Sequence, residues 1–184
     1  MSQSSTQFDV CIRGAGIVGR SLSLMLASQG LRVALVNLSD AQKSAHGHSD
    51  VRAYSLNSAS QQLLTDLRCW PEGTACTPIL KMQIEGDQDG NLEFNAAQQN
   101  VEALNWMIDV PTLENNLTKA TGFQPLIQEV AENVRAPLTV ICEGRASQTR
   151  AELGVAFDVK HYEQHALACR IQTQAPHQQI ARQW

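Results

Sequence analysis

Apolar positions near the start of the chain fall in two short runs on either side of a mixed polar and apolar stretch. Phe8, Val10, Cys11 and Ile12 lead into Gly14-Ala15-Gly16-Ile17-Val18-Gly19, and Leu31, Val33, Ala34, Leu35 and Val36 follow Gly30. Short apolar runs bounded by glycine predict strands buried in a parallel sheet. The stretch 20–29 between them predicts a helix, with Gly30 as its stop. The pattern is therefore a β-turn-α-β unit, not a bare glycine motif. In such a unit Gly14 allows the tight turn, Gly16 lets the backbone approach a pyrophosphate, and Gly19 lets helix and strand pack closely. The helix N-terminus presents free N–H groups and a favourable dipole to the diphosphate. The competing reading is a glycine-rich turn in an ordinary α/β protein.

Farther along, residues 58–67 predict a helix with Asn57 or Ser58 as its cap, an apolar face of Leu63, Leu64 and Leu67, and Trp70-Pro71 beyond its end. Alternation over 79–85, a turn at Gly86-Asp87-Gln88-Asp89-Gly90 and an extended run 91–94 predict a β-hairpin. Residues 105–110 predict a strand, and Pro111 opens a helix that runs through Leu113 and Leu117 to Ala120, closed by Gly122. A strand is expected over 126–134. A second strand-turn-helix starts at Leu138-Thr139-Val140-Ile141-Cys142 and turns at Glu143-Gly144. That turn suits a phosphate or ribose, or is a plain βα loop. The tail 157–180 predicts two antiparallel strands, because 166–173 alternate, and 178–184 begin another.

Composition narrows the class. The chain has 184 residues, 43% hydrophobic and 17% charged, as expected of a globular protein. Its 14 basic and 18 acidic residues give a net charge of −4 without any basic run, which argues against nucleic-acid binding. Five scattered cysteines without C-x-x-C spacing argue against a disulfide framework or zinc site, so reduced thiols are expected. His46 and His48 have too few neighbouring ligands for a metal site, and His161 and His165 read as surface residues. No signal-peptide pattern or membrane-length apolar run is present. A cytoplasmic protein with at most peripheral membrane contact is the expectation.

Taken in order, the motifs resemble those of the FAD-dependent aromatic hydroxylases with the para-hydroxybenzoate hydroxylase fold, most closely the ubiquinone-biosynthesis hydroxylases. The matching pieces are the glycine turn, Asp50-x-Arg52-Ala53-x-x-Leu56-Asn57, and the Leu63-Leu64 helix to Trp70-Pro71. The strand and helix from Trp106 to Leu117, Cys142-Glu143-Gly144-x-x-Ser147-x-x-Arg150 and Tyr162-x-Gln164-x-Ala166-Leu167 complete the set. The resemblance implies an α/β fold: a Rossmann-like FAD-binding βαβ part over 8–75 and 111–155, and part of a smaller, mostly antiparallel β substrate domain over 76–110 and 156–184. It also implies a truncated chain, since members of the family are much longer. FAD is the implied cofactor, with NAD(P)H as electron donor and O₂ as co-substrate. The implied substrate is a polyprenylated phenol, and other ubiquinone-biosynthesis proteins are implied partners.

By the same resemblance Gly14, Ala15, Gly16, Ile17, Val18 and Gly19 hold the FAD diphosphate, Arg52 lies beside the flavin, and Glu143-Gly144 meets FAD and the nicotinamide donor. No catalytic acid–base group or metal ligand is expected, because the cofactor carries the chemistry. Three positions depart from the pattern. Asn37 stands where an acid usually accepts from the ribose, with Asp40 near enough to substitute. Glu143 replaces an aspartate. Arg13 stands where a small residue is usual, and either adds charge to the diphosphate or points to solvent. These departures keep a second reading open, a non-catalytic remnant or interaction module of the same family. A third, a reductase with the same βαβ start, leaves Asp50-x-Arg52 and Glu143-Gly144 unexplained.

Overall fold

A computed structural model describes residues 7–37 and 50–184. In chain order its first elements are β1 (Val10–Arg13), α1 (Ile17–Ser28), β2 (Val33–Val36), β3 (Ala53–Leu56) and α2 (Ser58–Asp66). Then come β4 (Cys76–Ile79), β5 (Lys81–Glu85), β6 (Asn91–Asn95), β7 (Asn105–Asp109) and α3 (Val110–Phe123). The last are β8 (Ile127–Val130), β9 (Leu138–Ile141), α4 (Gln148–Glu152) and β10 (Ile180–Gln183). The chain divides into two compact units, 1–49 with 114–166 and 50–113 with 167–184. His46, His48 and Asp40, singled out above, lie outside the described residues.

In the first unit four parallel strands lie in the order β8-β2-β1-β9. Val10 stands opposite both Val33 and Leu138, so β1 is an interior strand. Val10, Ile12, Val33 and Leu35 form a core cluster, with Leu22 and Leu26 of α1 packed against it. Cys11, Ala34 and Val36 are also fully buried. Continuous apolar runs such as these are what a sheet covered on both faces requires. The expected βαβ unit is present, with α1 starting three residues earlier than its polar pattern suggested.

The second unit holds two small sheets. β7 lies between β3 and β4, antiparallel to both. β5 and β6 form the expected hairpin, and Gly86 donates to the Gly90 carbonyl across its turn (2.7 Å). Asn57 caps α2 by accepting from the Ser60 N–H (2.9 Å). Trp70 meets Trp106 edge to face, with ring centroids 6.1 Å apart.

Several elements differ from expectation. The run 79–85 breaks at Leu80, whose N–H donates to the Gln179 carbonyl. α3 passes through Gly122 to Phe123, so that glycine does not end it. β8 stops at Val130, the last residue paired with β2. The largest correction concerns the tail: residues 155–173 form neither strand nor helix. Alternation marks a possible sheet face, but a strand needs a ladder for its backbone groups, and this segment has none. Its apolar side chains stay outside, Leu167 being 97% exposed. The strand expected near 178–184 does form, as β10 parallel to β5.

Asp9 leads into β1 and accepts from the Arg32 N–H (2.8 Å) and guanidinium (2.9 Å) ahead of β2. Those hydrogen bonds hold its carboxyl at about 2 instead of 3.8. A depressed folded-state pKa means stability that is fully present above the unfolded value and is lost as pH falls through the folded one. We expect the first unit to lose stability between about pH 4 and 2, and Asp9→Asn to flatten that slope. Carboxyl ¹³C NMR titration of Asp9 with pH-dependent melting checks this.

Candidate functional site

The parallel sheet decides where a ligand can bind. α1 carries the chain from β1 to β2 on one side, while β9 lies on the other side of β1. Crevices beyond the carboxyl ends of strands at such a reversal are the usual ligand sites of open α/β sheets. Here a hollow of about 470 Å³ opens beside the turn after β9, lined by Ile141, Cys142, Glu143, Gly144 and Arg150, among others, with Val18 of α1 at its edge.

The first turn is shaped by its glycines. Gly14 has φ +108°, and a Cβ there would lie 2.6 Å from the Cys142 carbonyl carbon and 2.9 Å from the Glu143 nitrogen. A Cβ on Gly19 would collide with the Gly14 carbonyl. Both are required by the fold itself. Gly16 is different: its φ is −78° and a Cβ would meet nothing within 4 Å. No side chain caps α1 and its first turn holds no acid, so Gly16, Ile17 and Val18 present an uncapped helix N-terminus on the open side of the turn.

Glu143 is engaged within its own turn. It accepts from the Ser147 hydroxyl (2.7 Å), the Thr149 N–H (3.1 Å) and the Thr149 hydroxyl. Burial pushes its carboxyl up, but these donors, with the charge of Arg13, outweigh burial and leave the pKa lowered. Ser147 in turn caps α4 by accepting from the Arg150 N–H. Arg13 donates to the Thr149 hydroxyl (3.1 Å), and its buried Nε has no hydrogen-bond partner among the described residues. The guanidinium does not simply point to solvent: it reaches the turn after β9. The role of Arg13 and Thr149 escaped the sequence reading, because it depends on strands more than a hundred residues apart.

Asn37 follows β2 directly. Its N–H donates to the Val130 carbonyl (3.0 Å) and its side-chain amide to Glu129 of β8. Glu129 also takes the Arg20 guanidinium (3.1 Å). Neither Arg20 nor Glu129 was among the sequence candidates. The one available signal was a charged residue immediately after Gly19, where α1 faces the sheet.

Arg52 stands in the second unit. Its guanidinium holds Asp50 through bonds of 2.6 and 3.0 Å, chiefly through which the Asp50 carboxyl is lowered to about 2. Arg170, from the tail, donates to the Val51 and Arg52 carbonyls (3.3 and 3.1 Å) and to Asp109. Sequence alternation had placed Arg170 on a strand. In the structure it is a side-chain anchor for the Asp50-x-Arg52 segment.

No family model matches the chain. It is 25% identical to 3-demethoxyubiquinol 3-hydroxylase of Escherichia coli over 89% of its length and 48% of the relative's. It is also 25% identical to the ubiquinone hydroxylase UbiL of Rhodospirillum rubrum, over 94% and 46%. The chain is similar to the N-terminal part of the ubiquinone hydroxylases. It spans about half the length of these curated relatives. Among solved structures, the flavin-dependent monooxygenase PieE in complex with FAD and substrate matches 82% of the chain and 32% of its own, with a TM-score of 0.60 and 18% identity. That likeness shows the fold. The ubiquinone-hydroxylase resemblance read from the motifs is thereby borne out, and so is the mixed α/β class. Among the described residues no helix is long and apolar enough to cross a membrane.

The Glu143 geometry gives a direct test. Glu143→Ala removes the acceptor for three donors and should cost the first unit about 1–3 kcal/mol, read as a lower melting temperature. Thr149→Val, which also removes the acceptor of Arg13, should cost less than the sum of both when combined with Glu143→Ala.

Proposed function

We propose that this chain is the cofactor-binding part of an FAD-dependent monooxygenase that hydroxylates the ring of a polyprenylated phenol in ubiquinone biosynthesis, with NAD(P)H as electron donor. One observation carries the cofactor reading: among the three motif glycines, Gly16 is the one that no backbone contact requires. Gly14 and Gly19 are explained by backbone contacts, whereas the space over Gly16 is open. Glycine at such a place suits the close approach of a ligand, and the uncapped N-terminus of α1 suits an anionic one. The residues present therefore fit an FAD diphosphate.

In this reading Gly14, Ala15, Gly16, Ile17, Val18 and Gly19 hold the diphosphate through backbone N–H groups. Asn37 marks the ribose end, and Gly144 borders the hollow opposite. Arg52 is proposed as a flavin contact, with residues 8–75 and 111–155 serving the cofactor and 76–110 and 156–184 beginning the substrate sheet. Bound FAD supplies the redox and oxygen chemistry. The names of the ubiquinone hydroxylases among the relatives support the substrate class. A second reading, fold without cofactor, draws on Glu143, whose two carboxylate oxygens are already engaged by Ser147 and Thr149.

Two glycine substitutions separate fold from function. Gly14→Ala should destabilise the chain by about 1–3 kcal/mol through strain and overlap. Gly16→Val should lower the melting temperature less than Gly14→Ala does, through a poorer N-cap on α1, and weaken FAD binding at least about tenfold, or about 1.4 kcal/mol. Flavin fluorescence quenching on titrating FAD, with thermal melts, measures both. Full FAD affinity in Gly16→Val would move the cofactor elsewhere.

A further inference from the structure

We infer that Glu129, on β8, supplies the carboxylate toward the dinucleotide's ribose hydroxyls that position 37 lacks; the inference rests on the dinucleotide reading above. In a βαβ nucleotide site the acid at the end of the second strand accepts from a ribose hydroxyl. The chain has Asn37 there, and an amide offers a single, neutral acceptor oxygen. The structure brings a carboxylate to the same place from the neighbouring strand. Glu129 lies beside Leu35 in the β2–β8 register, and its Oε1 accepts from the Asn37 side-chain amide.

The link to the glycine turn is equally short. The Arg20 guanidinium donates through Nη1 to Glu129 Oε2 (3.1 Å) and through Nε to the Ala15 carbonyl (2.9 Å). One planar group therefore spans the turn and the carboxylate. A plain structural ion pair is the competing account, since Arg20 is buried and also donates to Thr121 (2.7 Å). The exposures separate the two partners: the Arg20 side chain is 7% exposed and that of Glu129 43%. The arginine is fixed inside, and the carboxylate is held at the surface beside the end of β2. Glu129 Oε1 accepts from Asn37 and from Arg20 Nη2 (3.4 Å), and Oε2 accepts from Arg20 Nη1, so both partners orient a carboxylate that stays open to solvent.

The test compares ADP with 2′-deoxy-ADP and 3′-deoxy-ADP by titration calorimetry on the full chain, so that the readout is a ratio of affinities and not stability. Wild type should bind ADP about tenfold more tightly than at least one deoxy analogue, as for a hydrogen bond to a charged group. Glu129→Gln should cut that ratio to about twofold. Asn37→Asp combined with Glu129→Gln, which returns the acid to the end of β2, should restore it. Where Glu129→Gln fails to fold, Glu129→Asp keeps a counterion for Arg20 but draws the carboxylate back by one methylene, and it should lower the ratio. An unchanged ratio in these single variants, no discrimination in wild type, or no restoration in the double variant overturns the inference and leaves Glu129 as a counterion of Arg20. A wild-type chain that binds neither ADP nor FAD overturns the dinucleotide reading itself.

Discussion

The first unit depends on a backbone contact. β1 and β9 pair through Arg13 and Ile141, and the chain leaving β1 must then pass between the Cys142 carbonyl and the first turn of α1. No Cβ fits at Gly14 or Gly19 without collision, so the turn, the helix start and the strand β9 are set by one another. Interiors at this density do not yield to an extra methyl group without displacement elsewhere. The same squeeze leaves Gly16 and Val18 on the outside, above the carboxyl ends of the central strands. The open surface proposed to face the cofactor is thus a by-product of how tightly the other side is packed.

Two arginines flank this turn, and each is tied to an element distant in sequence. Arg13 donates to Thr149, which donates to Glu143 after β9. Arg20 donates to Glu129 of β8 and to Thr121 near the end of α3. Taking a guanidinium out of water is costly unless its donors are met, and in both cases neighbouring strands and helices supply the acceptors. Arg13 leaves its Nε unmet, which makes it the less complete of the two. The arrangement means that the residues around the site are positioned by polar networks as well as by the apolar core.

In the second unit the ordering principle is different. Antiparallel pairing through β7 fixes β3 and β4, and the Asp50–Arg52 pair lies just ahead of β3. Arg170 holds the backbone of that segment although the tail around it forms no ladder. A single fork-shaped side chain can reach two carbonyls and a carboxylate where a strand would need a partner along its whole length.

The sequence by itself determined the βαβ start, the Asn57 cap, the β5–β6 hairpin and the places of Gly14, Gly16 and Gly19. These are local matters: apolar runs, helix caps and turn residues act over a few positions, and their signals lie side by side in the chain. It also carried the family resemblance, through the order of its motifs. Only the tertiary structure decided which of the three motif glycines no backbone contact requires, because that needs the position of Cys142 relative to Gly14. It alone turned Arg13 toward Thr149 and put Glu129 beside Asn37, 92 residues away. It also denied the tail its strands, since alternation describes a face and says nothing of whether a neighbouring edge will accept it. Polar pairing and strand pairing across such separations are set by sheet order, and sheet order is not written in any one stretch of residues.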